Sequence, residues 1–464
     1  MGIHRVQCDR LLGSPFILES LKRLINHLET TSPRDFNGRF FREVSSARID
    51  PDLRNQVTDC LYNLVRWRRL LDHAAGIDES TLPELSGRKG SADPALWQTR
   101  LQTYLDGGWA ELVDDASIPP DVRVSLPAPL FDRLAGRWGH DRAMELGLIF
   151  NEWAPLYLRV NPLKANREDV LAVLKKRGLD AQPAGPALAI RTLNDRFPIH
   201  RLPLYIDGVV EVQDESTQIV AESIDCRPNQ RVLDYCAGAG GKSLAIAHRL
   251  KRTATPPSTT FDGPCPLVLH DVREESLHKA HARLSRAGVE DFECITPDRL
   301  SHPQQAKRMR RSFDWVICDV PCSNTGTLRK HPEYRWLFAE SELGGLVKTQ
   351  REIVERAVEF VKPTTGRLVY STCAITEEEN EQQIEYFTRQ LGLDVCGASV
   401  ACDGQGGVAM PDDDECGDGE QRGEGVRNVD GDGPIVSFSG GVTHLPVSRG
   451  RDGFFFCVMR TRDR

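Results

Sequence analysis

Two cysteines lie in segments whose neighbouring residues favour chemistry. Cys322 belongs to the segment DVPCSNTG and Cys373 to the segment LVYSTC, and each segment continues a short apolar run typical of a strand. A single cysteine at a strand end is usually a small buried structural residue. Two of them, flanked by acid, proline and hydroxyl residues, favour a thiol that acts as a nucleophile. A thiolate that adds to carbon 6 of cytosine makes carbon 5 reactive enough to accept a methyl group.

An acid lies at the end of the strand-like run before Cys322. The carboxylate of Asp319 is the candidate for holding the N3 and amino edge of a pyrimidine and for stabilising the charge that develops in the ring. After methyl transfer a base must remove the carbon 5 proton, and the thiol must then leave. A second cysteine can assist that release.

A glycine-rich segment follows another strand-like run and precedes a helix. It consists of Cys236, Ala237, Gly238, Ala239, Gly240, Gly241 and Lys242. Its glycines allow a sharp turn and a close approach to a ligand, and the N–H groups at the start of the next helix suit a carboxylate or a phosphate. Such a turn is weak evidence alone, because dinucleotide-binding enzymes have one too.

Acids at the ends of the next two strands make the nucleotide interpretation more specific. Asp271 is placed to accept two hydrogen bonds from a ribose diol, and Asp298 to contact an adenine edge. Taken singly, each acid could equally be a helix cap or a loop residue. Together with the glycine segment they predict a bound nucleoside. S-Adenosylmethionine fits better than NAD, because the later motifs carry nucleophilic cysteines.

The elements that must position these residues alternate between strand-like and helical patterns from Arg231 onward. This alternation predicts βαβ units and a parallel sheet covered on both faces, with ligands beyond the carboxyl ends of the strands. The predicted fold class is α/β, a Rossmann-like S-adenosylmethionine methyltransferase sheet. We predict three regions: an all-helical domain at 1–150, a small linking α+β subdomain at 151–225 and the catalytic domain at 226–464.

Charge does not exclude a nucleic acid partner. The net charge of the 464-residue chain is −8, but residues 403–433 alone hold ten acids, two bases and nine glycines. The remainder is therefore balanced, and local basic clusters can still bind phosphate. The segment at 403–433 is too polar and glycine-rich to build a core, so we predict a disordered surface loop.

Cysteine content and hydropathy set the expected compartment. Thirteen cysteines are too few for a disulfide framework, and none shows the paired spacing of a zinc site, so we expect free thiols and no metal. The chain has no apolar run long enough to cross a bilayer and no signal-peptide core near its first residue. We expect a cytoplasmic protein without membrane contact, and a monomer.

The segments VLDYCAGAGGKS, DVPCSNTGTLRKHPEYRW and LVYSTCAITEEENEQQI together resemble the Sun/Fmu-type family of RNA cytosine-5 methyltransferases, which includes bacterial rRNA enzymes and nucleolar relatives. The resemblance extends from about Pro127 to the C-terminus and, more weakly, to a NusB-like RNA-binding domain at the N-terminus. It implies that Cys373 is the nucleophile and that Cys322 assists release. It also implies that the cofactor contacts Cys236 through Lys242, Asp271, Asp298 and Asp319. Two residues depart from the family pattern: Ala239 replaces a proline and Asn324 a glycine.

Basic residues near the motifs suggest contacts to RNA. We expect Arg329, Lys330 and Arg335, which follow the Asp319 segment, to contact phosphates, although a solvated loop is the alternative. Arg159 and Lys164 in the small subdomain are further candidates, unless they are ordinary surface residues. The NusB-like resemblance favours rRNA over tRNA as the substrate.

Other functions remain open from the residues. A DNA cytosine-5 methyltransferase would use Cys322 of the Pro-Cys pair as its nucleophile and leave Cys373 structural. A tRNA cytosine-5 methyltransferase would share every motif above. A non-catalytic RNA-binding assembly factor could keep the fold, but it would not need the two cysteines or the acids at the strand ends.

Overall fold

The computed structural model describes residues 51–78, 94–193, 199–250, 265–396, 435–438, 441–448 and 450–462. The predicted acidic loop at 403–433 and the helical segment predicted before residue 51 lie outside these residues. The chain divides into two compact units. The first contains the chain up to Trp153 and also residues 323–344, and the second contains residues 154–322 and 345–464.

The first unit is helical in the residues described. Its helices are α1 Pro51–Arg66, α2 Arg68–Ala74, α3 Pro94–Asp106, α4 Pro120–Arg123, α5 Ala128–Trp138 and α6 His140–Phe150, with 3-10 turns at Gly108–Asp114, Thr325–Thr327 and Pro332–Leu337. Val57, Leu61 and Leu64 recur at helical spacing along α1, and all three are fully buried. They pack in one core with Trp67 and Trp109. Burial of this apolar stripe holds the helices together.

The second unit begins with a small antiparallel sheet in the order β2-β3-β1-β4. Its elements are β1 Tyr157–Val160, α7 Arg167–Lys176, β2 Ala181–Pro183, β3 Ala189–Thr192, a 3-10 turn Ile199–Arg201, α8 Pro203–Ile206, β4 Val210–Val212 and α9 Glu215–Glu222. Leu158 and Ile190 of the sheet pack against Leu174 of α7. This part therefore has the α+β character predicted for it.

A larger sheet follows, in the order β11-β12-β13-β9-β8-β5-β6-β7, with β10 also paired to β13. Its strands are β5 Val232–Asp234, β6 Leu267–His270, β7 Phe292–Ile295, β8 Trp315–Asp319, β9 Arg367–Thr372, β10 Leu393–Cys396, β11 Ile435–Phe438, β12 Gly441–His444 and β13 Phe454–Thr461. Strands β5 to β9 pair in parallel, and β13 pairs antiparallel to β9.

Helices connect the parallel strands. They are α10 Gly241–Leu250, α11 Glu274–Arg286, α12 Pro297–Ser301, α13 Pro303–Met309, α14 Glu340–Ala357 and α15 Glu381–Leu391, with a 3-10 turn at Val358–Phe360. Apolar side chains from the strands enter two separate core clusters, one with Ile246 of α10 and one with Val354 of α14. The predicted Rossmann-like sheet is confirmed. Within the described residues, no helix is both long and apolar enough to cross a membrane.

Candidate active site

The candidate site lies where β8 and β9 end side by side. Asp319 of β8 is in register with Ser371 of β9, and the Ser371 hydroxyl donates to Oδ1 of Asp319 over 3.0 Å. Because the strands are parallel, the chain leaves both at the same edge of the sheet. Cys322 follows three residues after Asp319, and Cys373 two residues after Ser371. The sheet thus brings together two segments about fifty residues apart in sequence.

The two cysteine sulphurs are in contact. Their Sγ atoms lie 3.2 Å apart, and one thiol donates a hydrogen bond to the other. This distance is longer than the about 2.05 Å of a disulfide bond. Both residues are half-buried, so neither cysteine is sealed in the interior. The arrangement provides two thiols at one place, as the release chemistry expected from the sequence requires.

A buried ammonium group pairs with the strand-end acid. Lys242 Nζ lies 2.5 Å from Oδ2 of Asp319, and the Lys242 side chain is only 6% exposed. The same Nζ lies 4.9 Å from the centre of the Phe454 ring, a cation–π contact that further stabilises the charge. One carboxylate oxygen of Asp319 therefore accepts a hydrogen bond from Ser371, and the other forms an ion pair with Lys242. Lys242, expected among the cofactor residues, is in this structure a partner of Asp319.

The glycine segment is shaped by two positive φ angles. Gly238 has φ of 51° and Gly240 has φ of 75°. A Cβ on Gly240 would come within 2.9 Å of Leu284 and 3.0 Å of Ala280 on α11. The backbone at Gly240 therefore packs so closely against α11 that no side chain fits between them. At Gly238 a Cβ would meet nothing closer than an Arg273 nitrogen at 3.9 Å. The loop is therefore closed toward α11 and open at Gly238, where a ligand can approach the backbone.

Asp271 lies beside this open position. Its carboxylate accepts the Gly238 N–H over 2.8 Å, the Arg273 N–H over 2.9 Å and two guanidinium contacts from Arg273. Burial opposes ionisation, but the hydrogen bonds from Arg273 and Gly238 outweigh it and lower the pKa of Asp271. A ribose diol bound here would have to share or displace Arg273. Sequence reasoning found Asp271 but missed Arg273.

The remaining predicted cofactor residues are near the ends of the same strands. Ala237 donates its N–H to His270 O at the end of β6, which joins the glycine segment to that strand. Cys236 is half-buried, and burial raises the pKa of its thiol well above the usual value. Asp298 is exposed in the first turn of α12, directly after β7. We retain all three as predicted cofactor contacts.

Asp234, the last residue of β5, was not singled out from the sequence. It is 1% exposed and accepts the Ser243 hydroxyl over 2.7 Å on Oδ2. Among the described residues no group pairs with its Oδ1. Burial, assisted by the nearby charge of Asp319, raises the pKa of Asp234 to about 7, although the Ser243 hydrogen bond acts in the opposite direction.

Replacing Asp234 with asparagine is expected to stabilise the protein at pH 8. An unfolded aspartate titrates near pH 4, so native Asp234 retains its proton more strongly, and stability falls as the pH rises from about 4 to about 7. Asparagine keeps the acceptor for Ser243 and carries no charge to bury. Three pKa units correspond to at most about 4 kcal/mol. Thermal melts should show a gain in Tm at pH 8 that largely disappears at pH 4.

The exposed Asp225 provides a control for that comparison. Its side chain is 56% exposed, so Asp225→Asn should leave the pH dependence of the Tm unchanged. An Asp234→Asn gain that is as large at pH 4 as at pH 8 would contradict a charge-dependent origin.

The structure corrects two predicted RNA contacts in the segment after Cys322. The side chain of Arg335 is fully buried in the helical unit, and it donates to Arg66 O, Ser125 O, Asn151 Oδ1 and Phe150 O over 2.6 to 3.2 Å. Arg329 is 1% exposed, and its carbonyl accepts from Arg66. Both side chains are enclosed in the interior and are not available to phosphates. Lys330 is half-buried and stays a predicted contact.

Arg159 in the small subdomain is a third correction. It is 3% exposed and donates to Gln213 Oε1 over 2.8 Å, so it cannot reach a phosphate. Lys164 is exposed, but its ammonium donates to Asp207 O and to Arg286 O at the end of α11, both over 2.6 Å. Lys164 therefore fastens β1 and its loop to that helix, and its RNA contact stays a prediction.

Two further features bear on the chemistry of the site. No cluster of histidine, cysteine or acidic side chains suited to a metal ion occurs in the part of the chain that the structure describes. Sequence reasoning also missed five buried residues with polar groups on α14, on β9 and after Cys373, namely Gln350, Tyr370, Glu379, Asn380 and Gln383. Glu379 and Asn380 were visible only as part of an acidic segment, and their burial gives no sequence signal.

Comparison with known families gives two matches. The family model described as 16S rRNA methyltransferase RsmB/F matches residues 221–460, more than half of the chain. A ferredoxin-like domain of RsmF/B-like methyltransferases matches residues 126–199. Ribosomal RNA small subunit methyltransferase B from Photorhabdus laumondii is 32% identical over 244 residues, which are 52% of each chain. The alignment thus spans about half the length of this curated relative.

Solved structures support the same fold. The crystal structure of PH0851 aligns over 96% of this chain and 98% of its own, with a TM-score of 0.69 and 20% identity. NSun6 from Pyrococcus horikoshii, solved with SFG, aligns over 73% of this chain and 99% of its own, with a TM-score of 0.56 and 16% identity. The motifs, the strand order and the family match agree, and the chain belongs to the RsmB/F family of 16S rRNA methyltransferases.

Proposed function

We propose that this protein transfers a methyl group from S-adenosylmethionine to carbon 5 of a cytosine in RNA, with Cys373 as the covalent nucleophile. The observation that carries the proposal is the contact between the Cys373 and Cys322 sulphurs at the edge where Asp319 pairs with Lys242. Two half-buried thiols at a ligand-binding sheet edge suit one thiol that adds to a base and a second that assists its release.

Each residue of the site has a role in this reaction. The Cys373 thiolate adds to carbon 6, and the electron pair shifts through the ring so that carbon 5 becomes the nucleophile. Asp319 accepts from the amino edge of the base, while Lys242 holds the carboxylate in place. After carbon 5 has taken up the methyl group, a base removes the carbon 5 proton. The carbon 5–carbon 6 double bond re-forms as the carbon 6–sulphur bond breaks, and Cys373 leaves as a thiolate with the assistance of Cys322.

The glycine segment and the neighbouring acids fit the proposed cofactor. S-Adenosylmethionine, when bound, supplies an electrophilic methyl group on a sulfonium. The open backbone at Gly238 and the carboxylate of Asp271 beside it suit a nucleoside with a ribose diol. The structure of NSun6 from Pyrococcus horikoshii solved with SFG, a compound related to S-adenosylmethionine, supports a cofactor in this fold.

The proposed substrate is ribosomal RNA rather than transfer RNA. The curated relative carries the name of a small-subunit ribosomal RNA methyltransferase, and the matching family is named for 16S rRNA. The target base must leave its stack to reach a thiol at the sheet edge. We assign RNA binding to the region at 1–150 that resembles a NusB-like domain in sequence and to the small subdomain at 151–225, with Lys164 and Lys330 as contact residues.

Bisulfite sequencing of total RNA from cells with and without the gene tests the proposal. We expect one or a few ribosomal cytosines that are protected in the parent, converted in the deletion and protected again when the gene is restored. Restoration with a Cys373→Ala variant should not protect them. Sites that vanish from tRNA instead would support the alternative substrate, and an unchanged pattern would contradict a methyltransferase acting on RNA.

A further inference from the structure

We propose that Gln350 is a positioning residue that holds the Cys322 loop against the Cys373 loop and so sets the contact between the two sulphurs. The inference rests on the proposed function for its catalytic meaning, because only a two-thiol mechanism requires this contact. Its geometry stands independently of any substrate. Gln350 lies on α14 and is fully buried.

The amide of Gln350 reaches the residue before Cys322. Its Nε2 donates to Pro321 O over 3.0 Å and to Glu379 Oε1 over 3.0 Å. Pro321 immediately precedes Cys322, and Glu379 lies six residues after Cys373. One side-chain amide therefore uses its two N–H groups to join the two cysteine loops. A primary amide is the side chain that can do this and still accept on its oxygen.

The oxygen of Gln350 is fixed by a further buried donor. Gln383 Nε2 donates to Gln350 Oε1 over 2.8 Å, and the Tyr370 hydroxyl lies 3.3 Å from the same oxygen. That hydroxyl gives its single hydrogen to Glu379 O over 2.6 Å. Burial raises the pKa of Tyr370 well above its usual value, so the phenol keeps its proton. The Gln350 side chain is thus held in one orientation.

The Cys373 loop is fastened on both sides of the nucleophile. The Thr372 hydroxyl donates to Asn380 Oδ1 over 2.6 Å, and Asn380 Nδ2 donates to Ala374 O over 3.0 Å. The Thr376 hydroxyl donates to Glu379 Oε2 over 2.7 Å. Asn380 therefore fixes the residues that flank Cys373, and Glu379 joins this loop to Gln350.

Gln350 links the two loops beyond the ends of β8 and β9, where Asp319 and Val320 already bond to Ser371. Removal of its amide leaves Pro321 O and the Glu379 carboxylate without this donor, so the Cys322 loop loses this link to the Cys373 loop. A displacement of about 1 Å at reacting groups can cost on the order of 100-fold in rate. Loss of Gln350 should therefore separate the sulphurs while Cys373 keeps its own anchors at Asn380.

A chemical cross-linking experiment tests this without RNA or cofactor. The azo oxidant diamide converts two neighbouring thiols into a disulfide, while both protons and both electrons pass to its nitrogens. In the full-length Gln350→Met variant, which keeps the shape but not the donors, we expect Cys322–Cys373 disulfide formation to slow about tenfold or more. Mass spectrometry of the digested protein measures the linked peptide over time. An unchanged rate in a folded variant overturns the proposal.

Lys348 on the same helix provides the matched control. Its side chain is 79% exposed and pairs only loosely with Glu352, so Lys348→Ala should cross-link at the parent rate. If Gln350→Met does not fold, Gln350→Asn keeps the amide on a chain one methylene shorter. We expect slower cross-linking for this variant as well, provided that its melting curve shows a folded protein, and the parent rate would overturn the proposal.

The catalytic meaning has a separate readout. In Gln350→Met we expect the covalent RNA adduct to form and to be released slowly, because the release-assisting thiol is displaced. If the protein methylates no RNA, the proposed function fails while the cross-linking result still decides the role of Gln350. If cross-linking depends on Gln350 but adduct release does not, the positioning role in the reaction is rejected.

Discussion

Methylation is expected to fall by about 1,000-fold or more when Cys373 is replaced by alanine. The thiol of Cys373 is the group proposed to activate carbon 5, and the neighbouring Cys322 is assigned to release rather than to addition. Thr372 and Ala374 keep their hydrogen bonds to Asn380 in this variant, so the loop should retain its shape. Transfer of labelled methyl groups to unmodified ribosomal RNA from the deletion strain measures the effect.

Cys265 provides the control for Cys373. It is half-buried, lies outside the site, and burial raises the pKa of its thiol, so Cys265→Ala should methylate at the parent rate. Activity retained in Cys373→Ala would reject Cys373 as the nucleophile.

Cys322→Ala should behave differently from Cys373→Ala. The nucleophile is intact, so addition and methyl transfer proceed, while release of the enzyme from carbon 6 is slowed. We expect an RNA–protein adduct that survives denaturing electrophoresis. In the mechanism of DNA cytosine-5 methyltransferases Cys322 would be the nucleophile, so Cys322→Ala would lose activity and form no adduct. This variant therefore distinguishes the two mechanisms.

Replacing Arg335 with alanine should destabilise the helical unit by about 4 kcal/mol. The guanidinium is fully buried and donates to four acceptors on residues that are at most 7% exposed. Each acceptor left without a donor costs about 1 to 3 kcal/mol, although partial relaxation reduces the sum. Urea unfolding followed by tryptophan fluorescence should show a lower midpoint, since Trp67 and Trp109 lie in the same unit.

The ion pair of Arg133 with Glu340 serves as the matched control. Both groups are partly exposed, and such pairs contribute less than about 1 kcal/mol. Arg133→Ala should therefore unfold close to the parent midpoint. A stable Arg335→Ala protein that binds RNA weakly would favour the phosphate contact expected from the sequence over the structural role described above.

The sequence predicted the sheet and its reactive edge because both follow from local patterns. Buried parallel strands are continuous apolar runs, and the residues after them must meet at one edge. Asp319 and Cys373 were therefore found together, although about fifty residues separate them. Asn324, which departs from the family pattern, has φ of 59°, a conformation that asparagine tolerates better than most residues, so the substitution preserves the turn.

Burial of polar groups could not be predicted in the same way. Arg335 and Lys330 are near neighbours in a basic segment, yet one guanidinium is enclosed by carbonyl groups and the other side chain is half-buried. The sequence does not distinguish a charged side chain that contacts phosphate from one that contacts the protein backbone. Gln350 gave no signal either, because its role depends on Pro321 and Glu379, each 29 residues away.

The placement of residues 323–344 with the helices has a consequence for recombination between related genes. Arg335 and Arg66 each donate to the other segment's backbone, so these two stretches of chain must fit one another. A hybrid that takes its first 153 residues from a relative would inherit a mismatched interior unless the short internal stretch came from the same parent. Inheritance of this unit is therefore constrained at two separated places in the gene.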